Sequence, residues 1–521
     1  MSVDAPVRDS TVESPARIPR LSWGAAAVAV VVVAGVVLRF YTRSDLWLDE
    51  ALSVNIARIP LRDLGNALRH DGAPPLYYVV LHGWIRAFGT SDGAVRALSG
   101  LLSVATLPLA WFAGKRLGGR TMAWLAVLVL ATSPYAIRYG TESRMYALVM
   151  LLVFAGYLAV LRAVERPTMG RLATVALITA LLVYAQYWSF YLVAVAFLLL
   201  AWRAIRVQAA EPRRAARRTA AAIVAGTLTF AAWIPTFVYQ ARHTGTPWGN
   251  ARVPWSAIAD ALLRFGGEDN HAETFILVFA LITLAVIAVF GRAVDNRTIA
   301  LDVGTQPGTR REAILAFGTL LAGTSVSFVA GSAFDARYAS VMFPFFVLLV
   351  AVGLSLFLDR RVRAGVLAVV VLVGLVGGVR NVTTQRTQAG QVTTIIAAEA
   401  HPGDVVAYCP DQIGPSASRR LGVVPGLIQL TFPDGGHPDR VNWVDYIDRI
   451  GAASPATFAR RVLSRAGSHT IWYVFATGYN HVEGKCEAIG AELAGARPKT
   501  TLRVTQTDSI AEYMGLSSFA A

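Results

Sequence analysis

Leu46-Trp47-Leu48-Asp49-Glu50 follows closely on an almost unbroken run of Val, Ala and Leu from Val28 to Leu38. The run reads as a membrane span, so the two adjacent carboxylates sit where the chain leaves the lipid. One acid there is readily a solvated boundary residue. Two acids flanked by Leu46, Trp47, Leu48, Ala51 and Leu52 are harder to explain that way. Burial raises the pKa of a carboxyl group, so a sunken pair persists only with cationic or hydrogen-bonding partners.

The chain has 521 residues, 55% of them hydrophobic and 16% charged, which is too apolar for an ordinary soluble enzyme. Windows of about 15 to 20 apolar residues recur from Trp23 to Arg380, the length a helix needs to cross a bilayer. The net charge of +15 does not point to nucleic acid, because the arginines cluster in short loops between these windows. The clusters are Lys115 to Arg120, Arg162 to Arg171, Arg203 to Arg218, Arg292 to Arg311 and Arg360 to Arg363. Such loops are held on the cytoplasmic side by the positive-inside rule.

Residues 1–22 are polar and basic and read as a disordered cytoplasmic tail, and the first apolar run as an uncleaved anchor. Span one, about 23–40, then places Asp49 and Glu50 outside. The stretch Pro74 to Gly89 is short and interrupted by His82, Trp84 and Arg86. If it spanned, nearly every later arginine loop would fall on the wrong side. As an amphipathic helix lying in the interface it restores them all. The remaining spans are then about 95–114, 121–137, 144–163, 171–186, 188–203, 219–240, 272–291, 312–331, 339–358 and 364–380, making about eleven with the first. The expected fold is a polytopic α-helical membrane protein over 23–380, with a first external loop at 41–93, followed by an extracytoplasmic α/β domain at 381–521. In that last part Asp404–Pro410, Thr470–Ala476 and Thr501–Thr505 read as strands, and Ala456–Ala466 and Val482–Leu493 as helices. The only cysteines, Cys409 and Cys486, fall there too, and a disulfide and a free buried pair are both compatible with the sequence.

The outward-facing polar residues form a short set. The first loop supplies Asp49, Glu50, His70, Asp71, Tyr77 and Tyr78. The turn after the third span supplies Arg138, Glu142, Arg144 and Tyr146, and later turns supply Tyr187 and Asp335-Ala-Arg337-Tyr338. On a helix, Arg138 with Glu142 and Glu142 with Tyr146 are i,i+4 pairs. They either pin a helix start or wall a cavity whose arginines bind phosphate or sugar hydroxyls, to which the planar guanidinium is suited. Arg337-Tyr338 either anchors a span at the headgroups or holds a lipid phosphate. His70 has no second histidine at ligand spacing, so a structural metal is disfavoured, while a divalent cation, Mg or Mn, held by Asp49 or His70 stays open. No P-loop, no GxGxxG after a strand and no GxSxG occur.

Taken together, Asp49-Glu50 after the first span, Pro74-Pro75-Leu76-Tyr77-Tyr78, Tyr139-Gly-Thr-Glu142-Ser-Arg144-Met-Tyr146 and Arg337-Tyr338 resemble the GT-C superfamily of membrane glycosyltransferases, in the branch that uses polyprenyl-phosphate sugars. The resemblance covers about residues 23 to 380. It implies that Asp49 is the catalytic base, with Glu50 supporting it or touching acceptor. It further implies that Arg138, Glu142, Arg144, Tyr146, Arg337 and Tyr338 line the donor and its phosphate, that His70, Asp71, Tyr77 and Tyr187 contact substrate, and that the anomeric configuration inverts. The partners expected are a polyprenyl-phosphate-sugar donor, a glycan, lipid or protein acceptor, and the bilayer. The histidine that precedes Pro-Pro in many relatives is replaced here by Gly72-Ala73.

Mannose is the favoured sugar, because Ala-, Val- and Arg-rich usage fits a high-GC genome; arabinofuranose and aminoarabinose are the alternatives. A transporter would show interrupted helices and paired halves, neither of which is evident. A non-enzymatic assembly scaffold is the remaining alternative.

Overall fold

The structure is a computed structural model, and it describes residues 23–521 apart from positions 248, 269, 270, 303 and 423. The expected N-terminal tail lies outside the described residues. The chain opens with α1 (Trp23–Leu38), followed by three short helices, α2 (Leu48–Ala57), α3 (Leu61–Asp71) and α4 (Leu76–Phe88). The helical bundle continues with α5 (Asp92–Thr132), α6 (Pro134–Gly140), α7 (Tyr146–Glu165), α8 (Met169–Ala185) and α9 (Ser189–Arg206). After these come α10 (Ala210–Leu228), α11 (Ile234–His243), α12 (Pro254–Gly266) and α13 (Ala272–Phe290). A hairpin of β1 (Gly291–Ala293) and β2 (Ile299–Leu301) precedes α14 (Arg310–Ala313), α15 (Thr319–Val329), α16 (Phe343–Ser355) and α17 (Arg360–Thr383).

Among the described residues, seven helices are long and apolar enough to cross a membrane, and three shorter apolar helices accompany them. The 41-residue α5 is broken in two where Gly118 and Gly119 leave helical geometry, Gly119 at φ +77°, a conformation glycine adopts without cost. Counting its halves separately gives the eleven segments expected, and α4 has the length and position of the interfacial helix. The span expected over 121–137 ends earlier, at Thr132. Ser133 caps the next helix through Ala136 N–H (3.2 Å) and Pro134 starts it, so α6 is a separate turn of chain. Arg39, fully buried at the end of α1, donates to the carbonyls of Leu130 and Ala131 (both 2.8 Å) and satisfies groups that the end of α5 leaves open.

The C-terminal part is a five-stranded sheet in the order β4-β3-β5-β7-β6, formed by β3 (Val405–Cys409), β4 (Ile428–Thr431), β5 (Ile471–Phe475), β6 (Thr500–Val504) and β7 (Gly515–Phe519). The first three are parallel, and β7 runs antiparallel to both its neighbours. Val405-Val-Ala-Tyr-Cys409 is buried along its whole length, as a parallel strand covered on both faces must be. One face is covered by α18 (Ala389–Glu399) and α19 (Gly414–Leu421), the other by α20 (Tyr446–Ala452), α21 (Pro455–Ala466) and α22 (Lys485–Ala496). Cys409 and Cys486 form a disulfide between β3 and α22.

This unit is not a free appendage. Leu48 is buried in its core with Trp47 packed alongside, and Asn55 Nδ2 donates to the Asp439 carbonyl (2.7 Å). Arg419 pairs with Asp92 (3.3 Å), and Arg420 with Asp45. The segment bearing the two acids is therefore held between bundle and sheet.

Two carboxyls in this unit are strongly perturbed. Burial pushes Glu512 up to about 8 against its Ser416 hydrogen bond (2.7 Å), and Asp411 up to about 7 against the Tyr446 hydroxyl (2.6 Å). A carboxyl whose folded pKa is raised holds its proton in the folded state after the unfolded chain has lost it, so stability falls as pH rises between the two values. The melting temperature of the full chain should therefore fall from pH 5 to pH 8, and the fall should be shallower in Glu512→Gln. An unchanged slope in that variant would refute the assignment.

Candidate active site

The site begins with the first turn of α2. Both acids sit at the positive end of that helix, which favours their ionised forms, but they face different ways. Glu50 is fully buried. Arg96 of α5 grips it, with Nε–H donating to Oε1 (2.7 Å) and a second bond to Oε2, and Ser143 N–H donates to Oε1 (2.9 Å). The same arginine donates to the carbonyls of Ser44 (2.6 Å) and Asp45 (2.9 Å). Glu50 therefore fastens α2 to α5 and to the 141–145 turn. Of the two expectations for Glu50, supporting Asp49 or touching acceptor, the geometry bears on the first: Arg96 and Ser143 occupy both of its oxygens.

Asp49 faces the other way, into a ring of cations. Arg337 hydrogen-bonds its Oδ2, and Arg144 Nη2 lies 3.9 Å from the same atom. Burial works to raise the Asp49 pKa, but Arg337 and Arg144 outweigh it and hold the carboxyl ionised, below the ordinary aspartate value. Arg144 also donates to Ser53 Oγ (2.9 Å) and Tyr78 Oη (3.4 Å), and Tyr78 donates in turn to Asp71 Oδ2 (2.6 Å). Arg337 N–H donates to Asp335 Oδ1 (3.0 Å), and its guanidinium lies 6.0 Å from the Trp47 ring centre. Tyr338 stacks on Trp188 at 5.6 Å. Tyr146 is buried beside this group, its ring edge-on to Tyr139, and its hydroxyl has no hydrogen-bond partner among the described residues.

Of the expected residues, the structure thus gathers Asp49, Arg144, Tyr146, Arg337, Tyr338 and, one layer back, Asp71. Arg138 and Glu142 form a neighbouring wall: Arg138 pairs with Glu142 (2.9 Å) and with Glu268 (3.0 Å). Burial pushes Glu142 up to about 7 despite the pull of Arg138. Three residues expected to contact substrate lie elsewhere. Tyr77 is buried with its hydroxyl at Ser99 (3.1 Å) and Ser143 (3.3 Å), bracing the 141–145 turn. Tyr187 takes a bond from Trp233 Nε1 (3.0 Å) and gives one to Gln240, so it ties α11 to the bundle. His70 is half-buried, with its Nδ1–H on the Asn66 carbonyl (2.9 Å).

Sequence reasoning missed Arg96, Glu268, Arg386 and Glu512. Arg386 donates to Thr141 through both Nη atoms (2.7 and 3.1 Å), and Glu512 brings a carboxyl from the sheet within electrostatic reach of Asp49. For Arg96 the sequence showed only a charge at the start of an apolar span, which needs a partner, and Asp92 one turn earlier was the nearer acid. Among the described residues no three His, Cys, Asp or Glu side chains converge as metal ligands, and guanidiniums rather than further carboxylates surround Asp49. A divalent cation does not fit there.

No protein-family model matches the chain, and no curated protein matches it in sequence. Its three-dimensional form is similar to that of ArnT, an aminoarabinose transferase from Cupriavidus metallidurans, in the apo state. The TM-score is 0.59 at 13% identity, over 95% of this chain and 97% of that one. For ArnT from Cupriavidus metallidurans bound to undecaprenyl phosphate the TM-score is 0.56 at 12% identity, over 96% and 98%. The chain therefore has the GT-C fold, sheet-bearing C-terminal unit included.

Breaking a buried ion pair by removing one partner costs about 3–5 kcal/mol, whereas replacing both by apolar groups costs far less. Arg96→Met should accordingly lower the thermal stability of the detergent-purified protein by several degrees, and Glu50→Leu with Arg96→Met should recover much of the loss. A melting temperature unchanged in Arg96→Met would show that the clamp does not hold α2.

Proposed function

We propose that this chain is a glycosyltransferase that moves a sugar from a polyprenyl-phosphate donor to a hydroxyl of a cell-envelope glycan, lipid or protein acceptor, on the extracytoplasmic side of the membrane. The observation that carries the proposal is one carboxylate, Asp49, set between two arginines in a fold shared with an enzyme solved with undecaprenyl phosphate. A sugar linked through its anomeric carbon to a polyprenyl phosphate already has a good leaving group. The protein must deprotonate the acceptor and receive the departing charge, and one base and two cations suffice.

In the reaction proposed, the acceptor hydroxyl gives its proton to an Asp49 oxygen. Its own oxygen bonds to the anomeric carbon, and the bond from that carbon to the phosphate oxygen breaks. Polyprenyl monophosphate leaves with its charge met by Arg337 and Arg144. The resting ion pairs make Asp49 a weak base, since its pKa is held down. A donor phosphate competes for the same guanidiniums and relieves that restraint, so basicity rises only when donor is bound. The orphan hydroxyl of Tyr146 offers a donor to the sugar or its phosphate. Mannose is the favoured sugar on the compositional argument alone, with arabinofuranose and aminoarabinose as alternatives on the same fold.

Membranes expressing the protein should transfer label from one member of a panel of radiolabelled polyprenyl-phosphate sugars. Asp49→Asn should lower that transfer by about 10²–10⁴-fold, the range of general-base contributions, at unchanged protein level. Full activity in Asp49→Asn would sink the base assignment, and no transfer from any donor would move weight to a scaffold or transporter.

A further inference from the structure

A cavity of about 430 Å³ lies in the seam where the first external loop meets the C-terminal unit. One bank is α3 with the end of α2, and the other is the chain from Arg440 to Asn442 that follows β4. Its polar lining is Asp63, Asn66, His70, Asp71, Arg440 and Asn442, and Ile56, Ile59 and Val441 are among its apolar residues. The banks are fastened to each other. Asn55 Nδ2 donates to the Asp439 carbonyl (2.7 Å), and Trp443 N–H donates to the His70 carbonyl (3.0 Å). Arg449 holds the second bank in shape through the carbonyls of Asn442 (2.7 Å) and Val444 (3.1 Å). The cavity is thus formed before any ligand arrives, at the kind of inter-unit seam where binding sites gather.

Its polar groups are half used. His70 Nδ1–H is spent on the Asn66 carbonyl (2.9 Å), which leaves Nε2 of the neutral ring as an acceptor. Asp71 receives the Tyr78 hydroxyl on Oδ2 (2.6 Å), which leaves Oδ1. Asn442 Oδ1 is taken by Val444 N–H (3.1 Å), which leaves the Nδ2 amide as a donor. Among the described residues none of these three remaining atoms has a partner, and all three keep surface open to solvent. Arg440 and Asn66 are exposed; Arg440 gives only Nε–H, to neighbouring Asp439 (3.3 Å), and the Asn66 side chain bonds nothing among the described residues. Asp63 adds a second carboxylate, 3.6 Å from Arg62.

The cavity therefore offers carboxylate and imidazole acceptors beside guanidinium and amide donors. An anionic ligand is drawn to Arg440 but repelled by Asp63 and Asp71, and a cation meets the reverse. A neutral polyhydroxyl ligand gains from every group, because each hydroxyl both donates and accepts: its hydrogen goes to a carboxylate or to Nε2, and its oxygen takes a hydrogen from Arg440 or an amide. The apolar lining suits the C–H faces of a sugar ring. Asp71 also joins the cavity to the candidate active site, since its partner Tyr78 accepts from Arg144 (3.4 Å), which lies 3.9 Å from Asp49. We infer that this cavity is a subsite for neutral sugar residues of the acceptor, so that the acceptor is a glycan chain; the inference rests on the glycosyl transfer proposed above. The subsite holds residues remote from the hydroxyl that reacts, and it selects which chain is extended.

Saturation-transfer nuclear magnetic resonance titrations of the full chain test this, in a detergent without a sugar headgroup and with no donor present. The probes are hexasaccharides of mannose, arabinofuranose and glucose, with hexagalacturonate as an anionic chain of equal length. At least one neutral hexasaccharide should bind, about tenfold more tightly than hexagalacturonate. Asn66→Ala with Arg440→Ala should weaken that binding about tenfold, as expected for the loss of hydrogen bonds that include a charged donor. Both side chains are exposed and hold no other element in place, so folding is not at stake. Asp49→Asn should bind the same hexasaccharide as tightly as the wild type. Failure of the wild type to bind any neutral hexasaccharide, equal binding of hexagalacturonate, or indifference to the paired substitution overturns the subsite. Loss of binding in Asp49→Asn also overturns it, since the glycan would then sit at Asp49 instead. Binding is read without donor, so its absence counts against the subsite alone, whereas intact binding with no transfer from any donor counts against the glycosyltransferase reading alone.

Discussion

The buried ion pair between Glu50 and Arg96 is the constraint on which the arrangement of the candidate site depends. Arg96 stands near the start of α5, and through its fork it holds the Glu50 carboxylate and the carbonyls of Ser44 and Asp45 together. Ser143 adds the 141–145 turn through the same carboxylate. Three stretches far apart in sequence are fixed to one point, and Asp49, the next residue along, is turned by the helix toward Arg144 and Arg337. Such a pair contributes little net stability once its desolvation is counted, but its geometry is demanding. It specifies where α2 sits, and so where the Asp49 carboxylate points.

The second constraint comes from the C-terminal unit. Trp47 and Leu48 leave the membrane bundle and pack into the core beside β3, so the segment that bears Asp49 has the sheet on one side and α5 on the other. Glu512, bonded to Ser416 and poised near Asp49, adds a carboxyl that burial keeps protonated near neutral pH. A neutral group there adds no second negative charge to compete with Asp49 for its arginines. The unit therefore acts as a splint for the segment that bears Asp49.

Sequence revealed the elements whose cause is local. Eleven apolar segments follow from hydropathy and arginine placement. The interfacial α4 follows from the inconsistency of any other threading, and three of the five C-terminal strands follow from their apolar runs. Asp49, Arg144 and Arg337 were legible as candidates because charges beside lipid need reasons. The sequence could not show which acid faces the two arginines and which is clamped, since that depends on Arg96 across 46 residues and on Ser143 across 93. Tyr77 and Tyr187 read as substrate contacts for the same reason: an outward tyrosine looks alike whether its hydroxyl meets a sugar or, as here, Ser99 and Gln240. Arg386 and Glu512 carried no signal, because their partners lie hundreds of residues away or on another layer of the fold.

The central claim is that one carboxylate, restrained by two arginines until donor arrives, directs a single displacement at the anomeric carbon. The configuration of the product at that carbon, read by nuclear magnetic resonance after turnover of a donor of defined anomeric form, tests this most directly. The account predicts inversion. Retention would require a second displacement through a glycosyl-enzyme intermediate, and Asp49 could not then be acting as the base described here.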